Sequence, residues 1–172
     1  MTRIFAVAGS LAARSSNAAL LRAAALAAPP GTAVEVYDGL GALPPFNPDV
    51  EASGALPDVV AALRARVGAA DALLFSVPEY AHGVPGAFKN ALDWLVGGPE
   101  FVGRPVALWN ASPRATHAQA SLRESVTTMS GRIVEAASLD VLLLGRDAEA
   151  VLAEADIAVL IGDALAALVR AV

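Results

Sequence analysis

Arg3-Ile4-Phe5-Ala6-Val7-Ala8-Gly9-Ser10-Leu11-Ala12-Ala13-Arg14-Ser15-Ser16-Asn17 is the stretch that decides the fold. After the opening arginine, five apolar residues run without polar alternation. That is the pattern of a central parallel strand covered on both faces. A small polar loop follows, and the pattern then changes to helical period over Ser16–Ala28, with Ser16 expected as the N-cap. The opening residues also have the outline of a short signal peptide, but a buried strand running into a polar loop accounts for them better.

The unit repeats. Thr32–Tyr37, Ala72–Ser76 and Pro105–Asn110 read as strands, and Arg132–Ala136, with Val141–Leu144 beside it, supplies a fifth. Helices are expected at Pro57–Ala70, Pro85–Val96, His117–Met129 and Ala148–Val172, the last whole or broken. Pro57 and Pro85 serve as first-turn prolines, and Asp147 as a helix cap. Such βαβ alternation implies a doubly wound parallel sheet with right-handed connections. The proline-rich loop Gly39–Gly54 is too short to separate domains, so residues 1–172 form a single domain.

Composition removes several classes of function. With no cysteine among 172 residues, disulfides, cysteine-ligated zinc, iron–sulfur clusters and thiol catalysis are excluded. The formal charge is −5, and the single lysine and the arginines are scattered rather than striped. Neither nucleic acid nor a membrane surface is therefore an expected partner, and the expected compartment is the cytoplasm. The most apolar segment, Ile157–Val172, is broken by Asp163 and Arg170 and is too short to span a bilayer.

In an open α/β sheet, ligands sit beyond the carboxyl ends of the strands at the switch point, so the loops after strands one, three and four matter most. The first, Gly9–Asn17, offers Ser10, Ser15, Ser16 and Asn17 as side-chain donors, Arg14 as a charge, and the free N–H groups of a helix start. From chemistry alone it is either a phosphate cradle or an ordinary capped turn. It is not a P-loop, because no Gly-Lys-Ser/Thr closes it, nor a dinucleotide fingerprint, because only Gly9 is present. The loop after strand three, Ser76 to Gly86, packs two prolines and two glycines close to a helix start. It is either a rigid turn or a backbone platform for a flat heteroaromatic ring. On the helix that follows, Phe88, Leu92 and Leu95 share an apolar face, and Trp94 is expected to reach toward a subunit contact.

Gly9-Ser10-Leu11…Ser15-x-Asn17, together with Pro78-Glu79-Tyr80…Pro85-Gly86…Lys89-Asn90-Ala91-x-Asp93-Trp94, resembles the NADPH-dependent FMN reductases, which include quinone, azo-dye and chromate reductases. Tyr37-Asp38…Leu43-Pro44 and Asn47-Pro48-Asp49 resemble that family's loop after strand two. The resemblance implies a flavodoxin-like, five-stranded parallel sheet of order 2-1-3-4-5 with helices on both faces. It implies FMN as cofactor, with its phosphate on Ser10, Ser15, Asn17 and backbone N–H groups, and Pro78, Glu79, Tyr80 and Ala81 along the isoalloxazine. Arg14, Ser16, His82 and Ser112 complete the cofactor-binding set. NADPH or NADH would supply hydride, and a quinone, azo compound, free flavin or metal oxyanion would accept it. A homodimer is implied as well. The chain departs from the family pattern at Ala12, Ala81 and Gly83, and Ala111–His117 lacks the paired glycines found beside the flavin. An electron carrier without nicotinamide turnover and a non-catalytic flavin-fold binding protein are the alternative readings.

No catalytic side chain is named, because in such a reaction the flavin carries the chemistry. His82 and His117 with Ser10 or Ser112 suggest hydrolysis only superficially, since no Gly-x-Ser-x-Gly elbow is present. Both histidines are expected to line the site or face solvent. No histidine–carboxylate set has metal-site spacing along the chain, so no metal is expected. Arg114 either meets a nicotinamide phosphate or is solvated, and Lys89 and Asp93, one turn apart, form a surface pair.

Overall fold

A computed structural model of the chain describes residues 1–143 and 145–172. The elements are β1 (Thr2–Ala8), α1 (Ser16–Leu26), β2 (Thr32–Tyr37), α2 (Pro48–Ala52), α3 (Asp58–Ala69), β3 (Ala72–Ser76), α4 (Gly86–Val96), β4 (Pro105–Asn110), α5 (Thr116–Thr128), β5 (Arg132–Ile133), β6 (Leu139–Asp140), α6 (Ala148–Leu152) and α7 (Ala155–Val169). All strand pairs are parallel and the order is β2-β1-β3-β4-β5, with β6 also paired to β4. This is the flavodoxin-like order, with the switch point between β1 and β3.

Strand period two sorts the core into two layers. Ile4, Ala6, Ala8, Leu74, Ala107 and Trp109 face the helices α1, α6 and α7. Phe5, Val7, Leu73, Phe75, Val106 and Leu108 face α3, α4 and α5. Every residue of β3 and β4 is buried, as strands covered on both sides require. On the second face Phe75 meets Phe88 edge-on, at 5.2 Å between ring centroids.

The structure corrects the sequence reading at several places. The fifth sheet position is not one strand. Arg132–Ile133 and Leu139–Asp140 flank a 3₁₀ turn, Glu135–Ala137, which takes the middle of the segment out of the ladder. Trp109 explains the interruption: its Nε1 donates to the Ala137 carbonyl at 2.8 Å, a bond a continuous strand would not offer. Val141 and Leu143 are not strand residues but donate backbone bonds to Asn110 and Ala111, at 2.9 and 3.1 Å. Leu144, the end of that expected strand, lies outside the described residues.

The N-cap of α1 is Ser15 rather than Ser16, its Oγ accepting from the Ala18 N–H at 3.3 Å. Pro57 and Pro85 each sit one residue before their helix, in extended backbone. Asp147 caps α6 as expected, accepting from Ala150 at 2.9 Å, and the C-terminal helix is broken into α6 and α7. Gly39–Gly54 is not an open loop, for it contains α2 and is tied to α4. Asn90 accepts from the Phe46 N–H at 2.7 Å and donates to the Pro44 carbonyl at 2.9 Å. Trp94 donates to the same carbonyl at 2.8 Å and is 1% exposed, so it belongs to this chain's own core rather than to a subunit contact.

Candidate functional site

The carboxyl ends of β1, β3 and β4 open into a cleft of about 480 Å³. Its first wall is the β1–α1 loop. Gly9 lets that loop pass beside β3, for a Cβ there would lie 2.6 Å from Val77 Cγ1 and 3.2 Å from Val77 Cα. Beyond it the chain presents Ser10, Ala12, Arg14, Ser15, Ser16 and Asn17 to the cleft. Among the described residues, the Ser16 and Asn17 N–H groups have no acceptor in the chain, as expected at the open end of a helix. No acidic residue stands in the first turn of α1 to compete for an anion.

The polar side chains here are held in place. Asn17 Oδ1 accepts from Ser76 Oγ at 2.8 Å, which leaves the Asn17 amide NH₂ as a donor. Ser15 accepts from Ala18 and keeps its hydroxyl proton to give. Ser10 Oγ accepts from the Ala12 N–H at 3.2 Å and is 3.1 Å from the Tyr80 hydroxyl. Among the described residues the buried polar side chains are Ser15, Asn17, Ser76 and Asn110. All four belong to this end of the sheet. Buried polar groups are costly unless satisfied, so their concentration marks a built polar site rather than a random turn.

The second wall is Pro78, Glu79 and Tyr80. Here the backbone makes a two-residue hairpin: Tyr80 and Gly83 exchange N–H···O bonds at 3.1 and 3.0 Å, with Ala81 and His82 at the tip. Both tip residues have positive φ, 49° and 59°, the turn geometry that Asn-Gly usually supplies. Two non-glycine residues there cost roughly 1–2 kcal/mol each, strain of the kind that clusters at functional sites. Glu79 caps α5 from beside the tip, its Oε2 accepting from the Ala118 N–H at 3.0 Å. That backbone bond holds its carboxyl below the ordinary glutamate range, helped by the His117 N–H and the nearby imidazoles against partial desolvation.

The third wall is Asn110, Ala111, Ser112, Arg114 and Ala115, with Leu143 beyond. Asn110 Oδ1 accepts from the Ser112 N–H at 3.0 Å and so shapes this loop.

Of the sequence-expected residues, Ser10, Arg14, Ser15, Ser16, Asn17, Pro78, Glu79, Tyr80 and Ser112 line the one cleft. Ala81 and His82 do not; they sit at the hairpin tip, exposed. Sequence reasoning missed Asn110, Ala115 and Leu143. Asn110 had a usable sign, as a polar residue ending an otherwise apolar strand. Leu143 had none, since its place depends on the broken fifth position. The structure also joins what the sequence kept apart: Glu79, His82 and His117 have ligating atoms that all lie within 4.8 Å of one another. Spacing along the chain does not show this set, because only the fold brings the start of α5 to the hairpin.

An open parallel sheet of order 2-1-3-4-5 with a polar cleft at its switch point defines a flavodoxin-like fold. The chain belongs to the NADPH-dependent FMN reductase family, whose pattern it matches over residues 2–141. It is 41% identical over 112 residues to an NAD(P)H-dependent FMN reductase of Pseudomonas aeruginosa, covering 64% of this chain and 60% of that one. It is 38% identical over 118 residues to an NADPH:quinone oxidoreductase of Arabidopsis thaliana, covering 67% and 56%. The chain thus spans somewhat over half the length of these curated relatives. Among solved structures, the flavoenzyme NAD(P)H:(acceptor) oxidoreductase FerB of Paracoccus denitrificans superposes with a TM-score of 0.80 at 24% identity, covering 99% of this chain and 98% of that one. That likeness supports the fold.

Proposed function

We propose that the chain is an NAD(P)H-dependent, FMN-binding oxidoreductase that passes reducing equivalents to a small acceptor such as a quinone, an azo compound, free flavin or a metal oxyanion. The observation that carries this reading is the gathering of the buried polar side chains Ser15, Asn17, Ser76 and Asn110 around the open start of α1. The residues present fit FMN. A dianionic phosphate matches the Ser10 and Ser15 hydroxyls, the Asn17 amide and the unpaired first-turn N–H groups, with Arg14 at the rim. The cleft continues past Pro78, Glu79 and Tyr80 toward the apolar Ala111, Ala115 and Leu143, as a planar ring requires.

Bound there, FMN would supply two-electron redox chemistry between NADPH or NADH and the acceptor. The chain's own work is to bind, orient and exclude. Ser15 and Asn17 fix the phosphate end because their own acceptors are already engaged. Pro78, Glu79 and Tyr80 give a stiff backbone beside the ring. Ser112 and Arg114 stand across the cleft, where a nicotinamide substrate would enter. No side chain is assigned a proton-transfer role, and a cytoplasmic setting supplies both nicotinamides. The test is nicotinamide-dependent reduction of the FMN-loaded protein, since an electron carrier would bind FMN without turning over NADPH or NADH.

Tyr80 borders the cleft with 53% of its surface exposed and touches Ser10 only through its hydroxyl. Tyr80→Phe is therefore expected to change kcat/KM for different acceptors more than it changes FMN affinity. Separate measurement of the reductive and oxidative half-reactions checks this. A large loss of FMN with unchanged acceptor preference would contradict it.

The protein is further proposed to be a homodimer. Between α4 and α5 a groove of about 210 Å³ is lined by Leu92, Val96 and Met129 among Lys89, Asp93, Glu124, Ser125 and Thr128, and Val96 is 54% exposed. In a closed two-fold dimer one such patch serves both chains. Light scattering at micromolar concentration with FMN present should give the mass of two chains; the mass of one would refute it.

A further inference from the structure

We propose that Glu79, His82 and His117 form a binding site for one divalent transition-metal ion at the rim of the cleft. The three residues come from two separate elements, the hairpin after β3 and the first turn of α5. Each can offer one ligand atom, and these atoms all lie within 4.8 Å of one another. The two imidazoles face each other, stacked at 4.4 Å between centroids and 12° between planes. Both are exposed, so their side chains are free to rotate. Ligand atoms around a tetrahedral zinc stand about 3.3 Å apart, from bonds of ~2.0–2.1 Å. Closing the set on an ion thus requires rotation of exposed side chains, with no movement of the sheet.

Three features argue that the set is built rather than incidental. The hairpin tip holds His82 at a φ of 59°, next to Ala81 at 49°, so a strained turn sets the His82 backbone within side-chain reach of His117. Glu79 is anchored through Oε2 to the Ala118 N–H at 3.0 Å, the kind of outer contact that orients a ligating carboxylate. The helix dipole at the start of α5 opposes a cation, and the Glu79 carboxylate lies where it offsets that field. Two nitrogen donors and one oxygen select zinc, nickel or copper over magnesium or calcium. Three protein ligands leave a coordination position for water or for an oxygen of another molecule. Glu79 itself lines the cleft, so the set adjoins it. The site does not depend on the FMN reading and can be tested without cofactor.

The sequence makes the test clean, for it has two histidines and no cysteine. Untagged, chelator-treated protein is titrated with zinc chloride by calorimetry, and the two imidazoles are followed by nitrogen-15 NMR. One equivalent is expected to bind with a dissociation constant below about 100 μM, and both imidazoles should shift together. His82→Ala, His117→Ala and Glu79→Gln are each expected to weaken zinc by about tenfold or more, with circular dichroism confirming that the variants are folded. The proposal is overturned by zinc binding weaker than that limit, by shifts confined to one imidazole, or by zinc affinity unchanged in folded His117→Ala protein. Loss of FMN reductase activity enters none of these readings.

Discussion

Asn17→Ala is expected to weaken FMN by about tenfold or more while leaving riboflavin nearly unaffected, because a charge-assisted hydrogen bond contributes roughly 1.5–3 kcal/mol and only FMN carries the phosphate. The geometry behind this is specific. Ser76 holds the Asn17 carbonyl oxygen at 2.8 Å, so the amide NH₂ is the group left to donate into the cleft. The substitution also leaves the Ser76 hydroxyl, 0% exposed, without its acceptor, which costs about 1–3 kcal/mol of folding stability. The double variant Asn17→Ala/Ser76→Ala separates the two effects, since it removes the stranded hydroxyl but not the missing phosphate contact. Fluorescence titration with both ligands gives the answer. Equal losses for FMN and riboflavin in the double variant would place the phosphate elsewhere.

Gly9→Ala is expected to lower stability by about 1–3 kcal/mol and to weaken FMN as well. Gly9 donates to the Ser76 carbonyl at 2.8 Å, continuing the β1–β3 ladder to the edge of the cleft. A methyl group there meets Val77 at 2.6 Å on Cγ1 and 2.9 Å on Cβ, and Val77 is wholly buried, so it has nowhere to turn. The strands must part at the point from which both site loops depart. Urea denaturation and FMN titration of the same preparation measure both consequences. A stability within about 0.5 kcal/mol of the parent would show that the close approach carries no weight.

Much of this was legible in the sequence, and the reasons are physical. Four strands are readable because apolar runs of strand length have few other uses, and their parallel direction follows from the helices between them, whereas their order comes from the family resemblance. The first loop was readable as chemistry, since hydroxyls and an amide at a helix start are donors wherever the chain goes. Yet Ser15 and not Ser16 is the cap, for two adjacent serines carry the same local preference and only the backbone chooses between them. The segment Lys89-Asn90-Ala91-x-Asp93-Trp94 pointed to the family, but its chemistry is internal. Asn90 and Trp94 bind the Pro44–Phe46 backbone, and Lys89 pairs with Asp93 on the helix surface. The fifth sheet position was misread because its interruption depends on Trp109, a residue on another strand. The Glu79, His82 and His117 set was invisible for the same reason: its members meet only after the sheet is assembled.

The central claim is that this fold binds FMN and accepts hydride from a reduced nicotinamide. Its most direct test is rapid mixing of FMN-loaded protein with NADPH, and separately with NADH, under anaerobic conditions, following the flavin absorbance near 450 nm. Saturable bleaching is expected with at least one nicotinamide, and recovery of the band when a quinone is added. Protein whose bound FMN is bleached by dithionite but by neither NADPH nor NADH would contradict it.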